Sequence, residues 1–404
     1  MLSSQSAATV RATLPAVGAA IGEITPLFYD KMFAARPELL RDLFNRGNQA
    51  NGSQRQALAG SIATFATYLV EHPDERPDAM LERIAHKHAS LGVRADQYPI
   101  VREHLFAAIA EVLGDAVTEA VAAAWDEVYW LMANALIAIE KRLYEEAGAP
   151  DGNVWREYRV VGRFQETDDV ATFVVRPVDG EPVPASRPGQ YVSVQVALAD
   201  GARQIRQYSL SGQPDGGLQF SVKRVAGDDS GSPAGEVSNH LHDRVHGGEI
   251  LRVSAPFGDV VPEESDRPLL LASAGIGCTP MIGILSRLAA DGSARRVVSL
   301  HADRAPHTHA FQAELRQLTG KLAHATAEVW YERPGAAAEA ERGADVVTRH
   351  EGRMDLSGVE IPEGAVAYLC GPVPFMKAVR GQLLAAGVGA ADIHYEVFGP
   401  DLGI

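Results

Sequence analysis

Cysteine is nearly missing: Cys278 and Cys370 are the two thiols in 404 residues. Such a pair cannot build a disulfide framework, and neither has a neighbouring cysteine for a metal knuckle. Long apolar runs are lacking as well, since none approaches the roughly 18 to 20 residues of a membrane span. Met1–Leu14 is without the basic-then-apolar layout of a secretory leader. Positive charge is in deficit, with 37 Lys and Arg against 52 Asp and Glu and a net charge of −15. That balance repels phosphate backbones and excludes nucleic acid as the expected partner. What remains is 46% hydrophobic and 22% charged, ordinary for a chain that buries cores. Membrane, secreted and disordered classes drop out, leaving the expectation of a soluble, cytoplasmic protein without a transmembrane segment. At about 150 residues per domain it should hold two or three domains.

The pattern changes twice along the chain. Residues 1–148 are rich in Ala and Leu, with apolar positions recurring every three or four, as in Leu58, Ile62, Phe65 and Leu69. This predicts an all-α domain. The run Glu146–Asn153 reads as a linker. Over 154–263, short alternating segments such as Tyr191–Val196 and Leu218–Lys223 predict an antiparallel β-barrel or sandwich. Over 264–404, the apolar run Leu269–Ala272 precedes a Gly turn and a helix. Val297–Leu300 and Ala365–Leu369 read as further strands of a parallel-sheet α/β domain.

Met80–Leu91 carries His86 and His88. Two residues on a helix turn through about 200°, so the rings face opposite ways. His88 continues the stripe of Leu81, Ile84 and Ala85 towards the core, whereas His86 lies over Glu82 and Arg83 and reads as solvated. A histidine on an apolar face is either a satisfied core residue or a ligand. Glu140 bears on the choice, because its stripe with Ala133, Leu136, Ile137 and Tyr144 puts a carboxylate on a buried face. A metal-ligating histidine uses such an acceptor on its second ring nitrogen, and Tyr98 offers a phenol to the same network. An unrelated structural hydrogen bond fits the pattern too.

The segments Leu27-Phe-Tyr-Asp30, Leu43-Phe-Asn45, Asn48–Arg55, Ala85-His-Lys-His88 and Gln97-Tyr98 resemble those of flavohaemoglobins, and the likeness extends along essentially the whole chain. The resemblance implies that His88 ligates haem iron and Phe44 packs on the haem. Tyr29, Gln54 and Leu58 fall on the distal side, and Tyr98 and Glu140 form a proximal relay. Lys87 matches a position that influences haem potential. A distal phenol suits a bound diatomic that gains negative charge, since a hydrogen bond to a charged acceptor is worth about 1.5–3 kcal/mol. Taken singly, Tyr29 and Phe44 also fit plain core packing.

Arg206-Gln207-Tyr208-Ser209 resembles the R-x-Y-S/T flavin motif of ferredoxin-reductase-like enzymes. By that likeness Arg206 meets the FAD pyrophosphate, Tyr208 stacks on the ring system, and Gln207 and Ser209 line it. Tyr191, closing Arg187-Pro-Gly-Gln-Tyr191, is a further FAD contact. Gly235, Val237 and Ser238 belong to a phosphate loop before a short helix, preceded by a longer stretch, Ala226–Ala234. Gly275, Ile276, Gly277, Cys278, Thr279 and Pro280 form a Gly-rich nucleotide turn that opens a helix. Thr279 reads as its cap, and Pro280 stands where a G-x-G-x-x-G fingerprint has glycine. Cys370, Gly371 and Pro372 fall near the nicotinamide, although Cys370 equally suits a small buried thiol. In the tail, Phe398 would cover the flavin and Glu396 would sit beside flavin and haem. Val397, Gly399 and Pro400 supply FAD-proximal backbone, with Val397 where relatives often have cysteine. Arg304 either meets a 2′-phosphate or faces solvent, so the choice between NADH and NADPH stays open.

The resemblance therefore implies haem b, FAD and NAD(P)H as cofactors and a nitric oxide dioxygenase as the activity. NAD(P)H would reduce FAD, FAD would reduce haem, and the ferrous-oxy haem would convert NO and O2 to nitrate, detoxifying NO. A lipid in the distal pocket and a monomer or weak dimer complete the expectation. Three readings compete: an NAD(P)H oxidase or a ferric or peroxide reductase, a haem gas sensor or oxygen carrier, and a non-haem reductase with a degenerate globin. Tyr29 and Gln54 argue for held oxygen. Residues 155–404 read as a reductase rather than a signalling output, and His88 with Glu140 speaks against a lost haem site.

Overall fold

A computed structural model describes residues 2–50, 52–214, 216–227, 233–334 and 346–399. Helix α1 (Ser4–Ala35) starts where the Ser3 hydroxyl accepts a hydrogen bond from the Ser6 amide at 3.3 Å, an N-cap. Two short helices follow, α2 (Pro37–Asp42) and α3 (Arg46–Ala50), then α4 (Ser53–Glu71) and α5 (Asp78–Leu91). Helices α6 (Tyr98–Leu113) and α7 (Glu119–Glu146) complete the helical part, α7 being capped by the Thr118 hydroxyl. Helix α1 packs across α4, α6 and α7, while α5 lies along α7. Ile24, Phe28, Tyr29 and Met32 of α1 are buried against Leu105 and Ala108 of α6.

Strands β1 (Trp155–Thr167), β2 (Val170–Pro177), β3 (Tyr191–Ala197), β4 (Arg203–Gly212), β5 (Leu218–Lys223) and β6 (Ile250–Ser254) close into an antiparallel barrel of order β1-β2-β5-β4-β3-β6. Helix α8 (Glu236–Arg244) precedes β6. Alternate residues such as Val192, Val194 and Val196, or Phe220 and Val222, point inward and fill the barrel. Two register shifts in β1, after Val160 and after Gln165, bend it enough to join both edges.

The last part alternates strand and helix: β7 (Leu269–Ala274), α9 (Cys278–Ala290), β8 (Val297–Asp303), α10 (Gln312–Lys321), β9 (Ala325–Tyr331) and β10 (Val347–Glu351). It ends with β11 (Val366–Cys370), α11 (Val373–Ala385) and β12 (Ile393–Glu396). The strands pair in parallel in the order β10-β9-β8-β7-β11-β12. Leu269–Ala272 is buried throughout, as a strand covered on both faces requires. The chain leaves β7 towards β8 and returns to β7's other side as β11, which puts a topological switch point between β7 and β11. The all-α, β-barrel, parallel-sheet order expected from the sequence is the order observed.

The three parts share surfaces. Tyr191, Ala255 and Phe257 of the barrel join one apolar cluster with Ala85 and Ala89 of α5. A Cβ on Gly283 would stand 2.4 Å from the Leu210 carbonyl oxygen, so glycine is what lets α9 lie directly on β4. Among the described residues no helix is long and apolar enough to cross a membrane.

Candidate cofactor and active site

His88 reaches a cavity of about 1830 Å³ that begins in the helical core. Its Nδ1 lies 2.8 Å from Glu140 Oε1 and 3.1 Å from the Tyr98 hydroxyl, which itself donates to the same carboxylate oxygen at 2.5 Å. Glu140 is only 2% exposed. Facing a carboxylate, Nδ1 is the ring nitrogen that carries the proton in the neutral imidazole, the tautomer that leaves Nε2 its lone pair. Burial, and then the charge of Glu140, pushes the Tyr98 phenol far up, which keeps it a donor. A neutral imidazole with a free Nε2 and an anionic acceptor behind it is the donor set that haem iron takes.

Tyr29 faces His88's cavity from α1 and is 2% exposed. Burial pushes its hydroxyl up to about 12, opposed by a hydrogen bond from the Gln54 side chain. Phe44 meets the Tyr29 ring edge-on at 5.8 Å, and Leu58 packs in the same cluster. Gln49, which the sequence reading passed over, is buried near Tyr29 and, like Gln54, opposes the upward push of burial on the Tyr29 hydroxyl. Among the described residues the distal side thus sets a phenol and amides among apolar side chains, with the Arg55 charge acting on Tyr29.

His86 differs from expectation. Instead of facing solvent it is 5% exposed, and its Nδ1 accepts a hydrogen bond from the Gly258 amide at 3.0 Å. The turn after β6 covers the polar face of α5, and burial lowers the imidazole's pKa.

On β4, Arg206 is half-buried, and its guanidinium donates to the Ile205 carbonyl at 2.7 Å and to Gln204 Oε1 at 3.4 Å. Among the described residues no carboxylate forms an ion pair with it, which leaves the guanidinium suited to an anionic ligand. Tyr208 stacks on Phe220 at 5.6 Å, and Ser209 is buried. The Gln207 amide donates to Ser193 Oγ at 3.0 Å, which donates to Ser90 Oγ at 3.0 Å, which donates to the Lys87 carbonyl at 2.8 Å. This relay runs from the Arg206–Ser209 segment to the residue beside His88, and neither serine stood out in the sequence. Tyr191 is buried next to Ser90 and Glu396. Gly235 and Ser238 line the cavity, while Val237 anchors α8 in the barrel core. Of the stretch Ala226–Ala234, residues 228–232 lie outside the described residues.

Gly275, Ile276 and Gly277 form a 3₁₀ turn after β7. A Cβ on Gly277 would lie 2.4 Å from the Cys370 carbonyl oxygen, so this glycine lets the turn touch Cys370-Gly371 at the switch point. Thr279 is not the helix cap: Gly277 holds that position, and the Thr279 hydroxyl donates back to the Ile276 carbonyl at 3.0 Å. Cys278, Pro280 and Cys370 are buried, and both thiols are pushed up by burial. Pro372 caps α11.

Glu396 pairs in register with Cys370 at the end of β12. Beyond it Val397, Phe398 and Gly399 line the cavity, with Phe398 48% exposed, and Pro400 lies outside the described residues. Lys87 Nζ donates to the Gly399 carbonyl at 3.2 Å. Arg83 lies 4.4 Å over the Tyr395 ring and donates to Asp259 at 3.4 Å. The tail is therefore held on α5, the helix of His88. Tyr29, Phe44, His88, Arg206, Glu396 and Phe398 all open on the one continuous cavity.

The Globin family profile matches residues 27–136, and that of the Oxidoreductase NAD-binding domain matches residues 271–381. A protein of Bordetella pertussis named Flavohemoprotein is 44% identical over 411 residues, spanning 99% of both chains. One of the same name from Chromobacterium violaceum is 43% identical over all of both. A crystal structure of a flavohemoglobin from Malassezia yamatoensis, with bound FAD and heme, aligns with a TM-score of 0.88 at 36% identity, covering 98% of this chain and 100% of that one. The flavohem-like FAD/NAD binding domain of a nitric oxide dioxygenase from Vibrio cholerae aligns at 0.53 and 40% identity, over 61% of this chain and 99% of that one.

Proposed function

Because this chain belongs to the flavohaemoprotein family, we propose that it is an NAD(P)H-dependent nitric oxide dioxygenase, with haem held by His88, FAD on β4 and the nicotinamide nucleotide at the β7 and β11 turns. Bound there, the nicotinamide supplies hydride, the flavin divides it into single electrons, and the haem iron handles oxygen. The chain's own groups position and protect this chemistry. Arg206 binds the anionic diphosphate and Tyr208 offers an aromatic face. The Gly275–Gly277 turn brings backbone against the second diphosphate. Glu140 holds the proton on His88 Nδ1, and Tyr29 keeps its own proton for an oxygen-derived ligand. Ile24, Phe28 and Leu58 exclude water from that side, and the apolar reach of the cavity past Val17 and Ile21 would accept a lipid chain.

The observation that carries the reading is the single cavity joining the His88 and Arg206 ends. The test is aerobic NO consumption with NADH and FAD-loaded protein. About two nitrates should form per NADH, since a hydride carries two electrons and each dioxygenation takes one. NADH oxidation that yields superoxide or peroxide while NO survives would make the protein an oxidase instead.

A further inference from the structure

Arg46 belongs to α3, two residues beyond Phe44, yet its guanidinium ends on the barrel. Nη1 donates to Asp200 at 2.6 Å, and Nη2 and Nε donate to the two oxygens of Glu236 at 2.7 and 3.2 Å. Its backbone amide donates to Gln204 Oε1 at 3.2 Å, the atom that also accepts from Arg206. The Gln204 amide nitrogen reaches the Leu40, Arg41 and Phe44 carbonyls at 3.0 to 3.3 Å. Glu236 opens α8 directly after Gly235. A carboxylate there carries the same sign as the diphosphate that Arg206 would hold, and both Glu236 and Arg46 act electrostatically on Arg206. All three line one stretch of the cavity wall with Gly235.

We infer that Arg46 is a positioning residue of the flavin-diphosphate site, lent by the helical part: its fork on Glu236 cancels the carboxylate that would repel the diphosphate. This rests on the reading of Arg206–Ser209 as the flavin site. An exposed ion pair contributes little by itself, but this fork is bidentate and shares the cavity wall with the half-buried Arg206 guanidinium. By linkage, flavin binding and docking of the Phe44 segment then favour one another.

The test uses full-length, haem-loaded protein stripped of flavin and titrated with FAD by flavin fluorescence. Arg46→Ala should weaken FAD binding about tenfold, the scale of one uncompensated charge contact. Glu236→Gln alone should bind at least as well as the parent. The double variant should return to within about twofold of Glu236→Gln, because the charge to be cancelled is gone. The Soret band, unchanged throughout, shows that the Phe44 side is intact. FAD affinity unaltered in Arg46→Ala, or a double variant as weak as Arg46→Ala, would reduce Arg46 to an ordinary interface residue. A parent protein that binds no FAD would overturn the flavin reading and this inference together.

Discussion

Replacing Glu140 by glutamine preserves shape and removes charge behind His88. Glu140 accepts from both His88 and Tyr98 in a site 2% exposed, so solvent does little to screen the change. A hydrogen bond to a charged acceptor is worth about 1.5–3 kcal/mol and one between neutral groups about 0.5–1.5, a difference of about 1–1.5 kcal/mol. The anionic acceptor makes the imidazole more basic and favours the ferric over the ferrous state. Its loss should therefore raise the one-electron haem potential by about 40–65 mV, taking 59 mV per tenfold change. Spectroelectrochemical titration of the haem-loaded Glu140→Gln protein beside its parent reads this directly. A second consequence is that Tyr98, relieved of the carboxylate's charge, should titrate lower than in the parent. An unchanged or lowered potential with haem fully bound would refute the argument that Glu140 acts through the His88 ring.

Tyr29→Phe should speed oxygen release by about tenfold or more, the loss of about 1.5–3 kcal/mol of hydrogen bonding, as measured by stopped-flow displacement. Since burial raises the Tyr29 hydroxyl to about 12, its donor form persists at every lower pH. Oxygen release should thus stay flat from about pH 6 to 10 and accelerate only as pH nears the raised value; an inflection near neutrality would contradict this. Gly277→Ala places a Cβ 2.4 Å from the Cys370 carbonyl oxygen, so hydride transfer from NADH should slow by about tenfold to a hundredfold while haem and FAD contents hold. Arg83→Ala removes one of the two ties that hold the tail on α5, leaving Lys87 to Gly399, and should slow flavin-to-haem transfer by about threefold to thirtyfold, with flavin reduction by NADH unchanged in rapid-mixing spectra.

The periodicities that the sequence reading relied on are local, and local features came through well. The stripe of Leu81 and Ala85 with His88 and the buried run Leu269–Ala272 appear as expected because one helix face or one strand determines them. His86 did not, because its burial comes from Gly258, 172 positions away, and a helical wheel has no knowledge of a second domain. Thr279 has the chemistry of a cap, but the 3₁₀ turn over Gly275–Gly277 moves the helix start back to Cys278. Ser90, Ser193 and Arg46 were silent for the same reason as His86. A serine or arginine on a polar face reads as solvated until another domain supplies its partner.

The central claim is that one molecule carries electrons from nicotinamide through flavin to haem along the shared cavity. Anaerobic rapid mixing of haem- and FAD-loaded protein with NADH, followed across the visible spectrum, tests it most directly. Flavin bleaching should come first and ferrous haem second, with a second-phase rate independent of protein concentration. Reduced flavin beside a persistently ferric haem, or a second phase whose rate rises in proportion to protein concentration, would contradict it.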